Sequence, residues 1–349
     1  MLSRLGIYFI LLFCICLCSV FIKKHKIQSF IFSLLILLIL VLRDRTVGID
    51  LEVYLSKIRI IKTLSYFDLF SYDMEYGYLL FNKLVLLISE NERFFIFIYS
   101  LILIVLLKKF IDKNAKIVWL SYFLFVTFSF YTSFFVIIRQ SFALMIILMS
   151  IKSIEERRLK HFFIYYFIAI SFHYTAAIFI FLYIIYPLRI NLKYLFLLIV
   201  GIIVNLIFVK NIIAIVIKLI PKYYYRYKDI LRPGEGINLL LMLFLIFLTC
   251  FLLKKGKIKN KSEKIYFHML GIAIYLQSLS TGFSLFTRLT EFFSISIIIL
   301  IPDIISNEKN KYIRFIEIMI TIIISIIYYK IILDKNIGKI IPYNFFWNT

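Results

Sequence analysis

The sequence predicts an all-α polytopic membrane protein, and three observations support this fold class. First, 63% of the residues are apolar and only 17% are charged, whereas soluble domains average about 45–50% and about 25%. Second, the mean hydropathy is +0.97. Third, the apolar residues form unbroken runs, and a spanning helix needs about 20 of them. So little charge cannot cover a soluble globule, which excludes a soluble enzyme and a disordered chain.

The apolar runs define the predicted helices in order along the chain. They cover residues 5–22, 27–42, 79–107, 116–134, 135–151, 161–187, 194–209, 237–253, 264–281, 283–301 and 312–331. Charged residues interrupt the run 79–107 at Glu90–Arg93, so we expect a short helix over 79–89 at the outer interface and a span over 93–107. The run 161–187 is too long for one straight span, and we expect a tight hairpin that turns near His173.

Basic residues predict the topology. The net charge is +22, and more than half of the Lys and Arg residues fall in short loops that we place in the cytoplasm, at 23–26, 108–116, 152–160, 189–193, 254–264 and 309–314. This bias explains the basic charge without a nucleic acid partner. We expect about twelve passes with both termini outside, ten or eleven being the alternatives. One membrane domain is predicted over 1–349, with outer loops at about 43–78 and 210–236.

Four ionisable residues lie within predicted spans and in the outer half of the membrane: Arg139, His173, Arg288 and Glu291. Such a group costs about 2.5–3.5 kcal/mol or more, and it usually faces a cavity. Arg288 and Glu291 are three residues apart, so they share one helix face. The alternatives are arginines that extend to lipid headgroups, a packed histidine and a structural ion pair.

The first outer loop adds polar groups that suit phosphates and sugars. Arg43, Arg45, Asp50 and Tyr54 follow the second span, and Glu75 precedes Asn82. Guanidinium groups present a fixed fork of donors to phosphate, and carboxylates accept hydrogen bonds from sugar hydroxyls. In the second outer loop, Lys222–Lys228 is rich in Tyr and basic residues, and an interface belt is the favoured interpretation there. These residues predict an outward cavity for an amphipathic anion, which fits a lipid-linked phosphate and an anion transporter equally.

At these motifs the sequence resembles the EpsG family of Wzy-type polysaccharide polymerases, from about residue 40 onward. The matching pieces are Arg43 to Asp50 with Tyr54; Glu75-Tyr76-Gly77-Tyr78 with Asn82; Ile138-Arg139-Gln140 with Ala143; Ser171-Phe172-His173-Tyr174 with Ala176; Arg288 with Phe292-Phe293 and Pro302; and Ile341-Pro342-Tyr343. The chain departs from the family pattern at Ile49, Tyr76 and Thr175, where the family has Thr, Pro and Ser.

The resemblance implies a GT-C-like fold and an inverting glycosyltransferase. A glycan on undecaprenyl diphosphate would be transferred to a hydroxyl of a second lipid-linked repeat unit, at the outer face of the bacterial cytoplasmic (inner) membrane. Capsule, O-antigen and exopolysaccharide are all open as products. The implied partners are the undecaprenyl-diphosphate-linked oligosaccharide, membrane lipid and a chain-length regulator protein.

The implied catalytic roles follow from the chemistry of this transfer. Arg139 and Arg288, assisted by Arg43 or Arg45, would stabilise the charge of the departing diphosphate. His173 is the first choice of base, followed by Glu75 and Asp50. The residues expected to contact substrate are Arg43, Arg45, Asp50, Tyr54, Asn82, Gln140, Glu291 and Tyr343. No metal or other cofactor is expected, and a cation site at Asp50 and Glu75 is the alternative.

Other functions would use similar residues. A flippase for lipid-linked oligosaccharide also needs cations in a cavity, but it predicts internal repeats, which we do not detect. An outer-face glycan ligase would use the same arginines and a histidine. An acyltransferase does not match the predicted outer position of His173, and the buried charges argue against a purely structural partner.

Overall fold

The computed structural model confirms an all-α protein. It describes residues 2–219, 236–256, 258 and 260–347. In these residues the regular structure is helical, and an isolated β-bridge joins Arg43 to Phe345. The helices are α1 Leu2–Phe21, α2 His25–Val41, α3 Leu51–Thr63, α4 Tyr76–Leu86, α5 Glu92–Asn114, α6 Val118–Thr127, α7 Phe130–Val136, α8 Ile138–Leu148, α9 Ile151–Glu155, α10 Leu159–Phe172, α11 Ile180–Ile185, α12 Leu192–Leu219, α13 Ile237–Leu253, α14 Lys261–Ser280, α15 Leu285–Ser294, α16 Ile297–Ser306 and α17 Lys311–Lys335.

Several helices have the length and composition of membrane spans. Among the described residues, four qualify: Glu92–Asn114, Leu192–Ile215, Leu285–Ser306 and Lys311–Lys335. A fifth results if α6 and α7, which meet at an angle of 56°, form one bent span. Further apolar helical segments of 10–17 residues include Gly6–Phe21 within α1, and the helices α2, α8, α10 and α13. The chain is therefore a multi-pass membrane protein, and the number of about twelve passes stays a prediction.

The chain divides into two compact units. The first contains residues 1–153, 158–177 and 305–349, and the second contains residues 154–157 and 178–304. Candidate spans occur in both units. The single membrane domain stays a prediction.

Packing in the first unit places the ends of three short helices together. α2 packs against α5, and α10 packs against both α4 and α8. The run 79–107 is divided where its charges predict, because α4 ends at Leu86 and α5 begins at Glu92 after an Asn91 cap that accepts from the backbone N–H of Arg93 at 2.7 Å. The run 161–187 is also interrupted at the predicted place, since α10 ends at Phe172 and His173 is extended, with φ −160° and ψ 122°.

The loop that follows α2 is held by a segment from the far end of the sequence. The backbone N–H of Asp44 donates to the carbonyl of Asn344 at 2.8 Å. The N–H of Gly48 donates to the carbonyl of Lys339 at 3.1 Å, and Phe346 donates back to Leu42 at 3.0 Å. These hydrogen bonds give the loop a defined conformation before α3 begins at Leu51.

In the second unit, α14 is the central helix and packs against α12, α13 and α15. Two of its polar side chains, Gln277 and Ser278, form hydrogen bonds inside the apolar surroundings. The Nδ2 of Asn205 donates to Oγ of Ser278 at 2.8 Å, and the Nε2 of Gln277 donates to the carbonyl of Gly236 at 3.1 Å. Such hydrogen bonds join helices where water is absent.

Candidate active site

Glu75 is the central group of the candidate site, because its carboxylate contacts two of the residues predicted from sequence. The Nη1 of Arg139 donates to Oε2 of Glu75. The Nδ1 of His173 lies 2.5 Å from Oε1 of the same carboxylate. The Glu75 and His173 side chains are each 12% exposed, and Arg139 is 24% exposed. The three side chains therefore form a mostly buried cluster, and a small part of each remains exposed at the surface of the protein.

Helix ends place these three side chains. Glu75 is the extended residue just before α4, with φ −67° and ψ 132°. His173 is the extended residue just after α10, and Arg139 is the second residue of α8. A residue at a helix end has backbone groups outside the regular ladder, and the N–H of Tyr174 accordingly points to Oε1 of Glu75 at 3.4 Å.

Gly77 permits the close approach of α4 and α10. A Cβ atom at Gly77 would lie 2.2 Å from Oγ of Ser171 and 2.8 Å from its carbonyl oxygen. These distances are much shorter than a van der Waals contact, so any larger residue at position 77 would separate the helices. Glu75 comes two residues before Gly77, and His173 comes two residues after Ser171. The close approach at the glycine therefore allows the Glu75 and His173 side chains to meet.

Two tyrosines lie behind Arg139. The hydroxyl of Tyr54 interacts with the Arg139 guanidinium, and the rings of Tyr54 and Tyr78 meet edge to face with centroids 5.9 Å apart. Asn82 is fully buried on the next turn of α4, where its Nδ2 donates to the carbonyl of Tyr78 at 2.7 Å. The structure thus brings Tyr54 into the cluster, while the hydrogen bond of Asn82 is to Tyr78.

The electrostatics of the cluster define the charge of Glu75, which lies outside the candidate spans. Burial raises the pKa of Glu75, but the hydrogen bond from His173 and the charge of Arg139 outweigh burial, so the pKa lies below its ordinary value. An ionised carboxylate can only accept hydrogen bonds. The Nδ1 of His173 therefore carries a hydrogen, and in the tautomer with this single hydrogen Nε2 carries the lone pair.

The comparison with known protein families now decides the class of the chain. The model of the EpsG family matches residues 26–345. The chain belongs to the EpsG family. This family is polysaccharide polymerase-like in general function. Neither the curated proteins nor the solved structures contain a match.

In this EpsG chain, Arg43 lies apart from the Glu75 cluster, although we expected it to contact substrate. Its side chain is 0% exposed. The Nη1 of Arg43 donates to the carbonyl of Phe135 at 3.0 Å, and Nη2 donates to the hydroxyl of Tyr99. Protein groups thus enclose the guanidinium of Arg43, and its contact with substrate stays a prediction.

Tyr343 also belongs to an internal cluster rather than to the Glu75 site. Its hydroxyl donates to the carbonyl of Ile39 at 2.8 Å, and its ring meets the ring of Tyr8 edge to face at 6.0 Å. Tyr8 in turn donates to the carbonyl of Ile340 at 2.7 Å. These contacts hold the segment that follows α17 against α1 and α2.

The other predicted contact residues of the first unit differ in exposure. Arg45 is exposed and forms an ion pair with Glu52 at 2.8 Å. Asp50 is half-buried at the start of α3, one turn before Tyr54. Gln140 is buried and follows Arg139 in α8. Asp50 and Gln140 thus lie near members of the cluster in sequence, while Arg45 pairs with Glu52 and Glu92.

Arg288 and Glu291 lie on α15 in the second unit. Arg288 is exposed and Glu291 is half-buried. Their roles toward substrate stay predictions. The basic and aromatic segment Lys222–Lys228, and most of the second outer loop predicted at 210–236, lie outside the described residues.

In the part of the chain that the structure describes, no three or more His, Cys, Asp or Glu residues lie together in a group that could hold a metal ion. Gly77, Tyr78 and Tyr174 belong to the motifs that carry the family resemblance, but the sequence alone assigns them no role. The signal was present for Gly77, since a glycine two residues after the key carboxylate indicates close packing. Nothing local could have shown that Tyr78 would support Tyr54.

Proposed function

We propose that this chain polymerises oligosaccharide repeat units linked to undecaprenyl diphosphate, at the outer face of the bacterial cytoplasmic membrane. The observation that supports the proposal best is the Glu75 carboxylate that contacts both His173 and Arg139. A base and a cation held by one carboxylate are the two groups that transfer of a sugar from a diphosphate requires. The EpsG family membership supports the general class of reaction.

His173 is the proposed base, and Glu75 orients it. Glu75 accepts the hydrogen of Nδ1, so the lone pair of Nε2 is available to a hydroxyl of the acceptor sugar. A carboxylate that fixes the tautomer and direction of a histidine is a recurrent arrangement in enzymes that activate hydroxyl groups. Glu75 itself is less suited to be the base, because its two oxygens are already engaged.

Arg139 is the proposed cation at the leaving group. One of its nitrogens is bound to Glu75, which fixes the direction of the guanidinium. The remaining donors can approach the diphosphate oxygens as charge develops on them. Donors that are already in place need no reorganisation during the reaction, and this is the largest contribution in many enzymes.

The proposed transfer is balanced as one displacement. The Nε2 of His173 takes the proton of the acceptor hydroxyl while that oxygen attacks the anomeric carbon of the donor glycan. The bond from this carbon to the diphosphate oxygen breaks, and its electron pair leaves on undecaprenyl diphosphate. Attack from the opposite face inverts the anomeric configuration, and His173 then releases its proton to water.

The experiment that tests the proposal is glycan analysis in a strain that lacks the gene. We expect a single lipid-linked repeat unit to accumulate at the outer leaflet and the polysaccharide ladder to disappear. Full-length polymer retained on its carrier would instead indicate a ligase, and repeat units retained at the inner leaflet would indicate a flippase. Either of these two results would overturn the proposal.

Complementation identifies the residues. The wild-type gene should restore the ladder, and His173→Asn or Arg139→Met should not, although both proteins reach the membrane. His161→Asn is the matched control, because His161 is exposed near the other end of α10. A normal ladder from either site variant would remove that residue from the mechanism.

A further inference from the structure

The surroundings of Arg43 are unusual for a charged side chain. It is completely buried, and its guanidinium lies over the ring of Phe135 at 4.7 Å and near the ring of Tyr99 at 5.7 Å from the centroids. Its hydrogen bonds go to the Phe135 carbonyl and the Tyr99 hydroxyl, which are neutral groups. Burial of a charge is costly without good partners. The Arg43 guanidinium therefore depends on these two hydrogen bonds and two aromatic rings.

The contacts of Arg43 are at the junction of α7 and α8. The last carbonyls of a helix have no partner within it. Here the Phe135 carbonyl accepts from Arg43 at 3.0 Å, and the Phe134 carbonyl lies 3.5 Å from the Tyr99 hydroxyl. The Ser133 carbonyl accepts from the N–H of Ile137 and also from Oγ of Ser141, both at 2.9 Å. Side chains from α5, α8 and the loop after α2 thus hold the end of α7.

Gly48 packs against the same junction. It has φ +106°, a conformation that favours glycine, and an added Cβ would lie 2.6 Å from the carbonyl oxygen of Phe135. The same Cβ would lie 3.3 Å from Nη1 of Arg43. The loop from Arg43 to Gly48 is therefore built closely around this one carbonyl.

The junction lies next to Arg139 in the chain. Ile137 separates α7 from α8 with the non-helical angles φ −100° and ψ 64°, and Arg139 comes two residues later. We propose that Arg43 is a positioning residue, which holds the Phe135 carbonyl so that the first turn of α8 directs Arg139 to Glu75. The expected effect of Arg43 on turnover rests on the proposed function. Its expected effect on the contact between Arg139 and Glu75 rests on the geometry alone.

The kinetic test compares R43K with the wild type in purified full-length protein. The probe is the lipid-linked repeat unit extracted from a strain that lacks the gene. Lysine keeps the charge but cannot bridge the two acceptors as a fork, and a misplacement of about 1 Å can lower a rate about a hundredfold. We expect kcat to fall at least about tenfold with a smaller change in KM. A raised KM with unchanged kcat would assign Arg43 to substrate binding and overturn the inference.

Two further variants accompany R43K. Y99F removes the hydroxyl and keeps the ring, so it should lower kcat in the same direction by a smaller factor and remain informative if R43K does not fold. R59K is the matched control, because Arg59 lies on α3, is 66% exposed and pairs with Glu92. R59K should leave kcat and KM unchanged, and an equal loss in R59K would overturn the inference.

A second readout needs no substrate. The melting temperatures of E75Q, R139M and the double variant measure the coupling between these two side chains. We expect this coupling to be present when Arg43 is intact and lost in the R43K background. Unchanged coupling in R43K would overturn the inference. Lost coupling in a protein whose wild type does not polymerise would leave the inference standing and reject the proposed function.

Discussion

Glu75 and His173 are 98 residues apart in sequence, yet Oε1 of the carboxylate lies 2.5 Å from Nδ1 of the imidazole. The contact joins the start of α4 to the end of α10. It depends on backbone conformation at both ends, since each residue is extended beside its helix. A helical conformation at either position would turn the side chain elsewhere.

The histidine can be tested separately as a donor and as a base. In His173→Asn, the side-chain amide replaces the Nδ1 hydrogen, but nothing replaces Nε2. We expect the melting temperature to stay near that of the wild type and polymerisation to be lost. His173→Ala removes both the hydrogen-bond donor and the base. It should therefore lose polymerisation and also lower the free energy of unfolding by about 1–3 kcal/mol, because the Glu75 carboxylate loses its partner. Thermal unfolding in detergent and a polysaccharide gel measure the two effects. Polymer formation by His173→Asn would exclude His173 as the base.

Gly77→Ala should open the site without a change in charge. The new methyl group would lie 2.2 Å from Oγ of Ser171, so α4 and α10 must move apart. We expect a stability loss of about 1–3 kcal/mol, as for overpacked cores, and loss of polymer. Gly6→Ala is the control, because nothing lies within 4 Å of a Cβ there, and alanine favours a helix. Equal behaviour of the two variants would contradict the close packing at Gly77.

The ion pair of Glu75 and Arg139 should be coupled in stability. E75Q and R139M each leave one mostly buried charge without its partner, so each should lower the free energy of unfolding by about 1–3 kcal/mol. The double variant should lose less than the sum, since neither charge remains. Melting temperatures of all four proteins test this. The exposed pair Arg59–Glu92 is the control, and its cycle should give about 0–1 kcal/mol. Additive losses at Glu75 and Arg139 would contradict the contact.

Acid should weaken the protein in part through Glu75. The pKa of Glu75 is below its ordinary value of 4.5 in the folded chain. Its ionised form is therefore favoured by folding, and this stabilisation is complete above the unfolded pKa and is lost as the pH falls through the folded pKa. We expect the melting temperature of the wild type to fall faster than that of E75Q as the pH is lowered below about 4.5. Parallel curves for the two proteins would contradict the lowered pKa.

The fold class was predictable because it depends on composition and on runs of apolar residues, which are local properties. The interruptions at Glu90–Arg93 and at His173 were predictable for the same reason. The first lies between the end of α4 and the start of α5, and the second lies at the end of α10. The selection of Glu75, Arg139 and His173 followed from charges within or beside apolar segments, where a charged group needs a partner.

The partners of Arg43, Arg45 and Tyr343 could not be predicted in the same way. Arg43 and Arg45 are two residues apart and looked equivalent in sequence, but Arg43 is buried and Arg45 is exposed. The difference arises from Phe135 and Tyr99, which are distant in the chain and join Arg43 only in the folded protein. The partner of Tyr343 is likewise distant in the chain, since its hydroxyl donates to a main-chain carbonyl of α2. Its role toward substrate stays a prediction.

The hydrogen bonds from Asp44 and Gly48 to Asn344 and Lys339 have a consequence for biosynthesis. The loop after α2 leaves the ribosome about three hundred residues before the segment that pairs with it. During synthesis its main-chain donors must be satisfied by water, and the loop reaches its final conformation only after α17 has been inserted. The scaffold beside Arg43 is thus assembled late. A nascent chain arrested before residue 338 should remain sensitive to protease at residues 43–50, even when its earlier helices are already embedded.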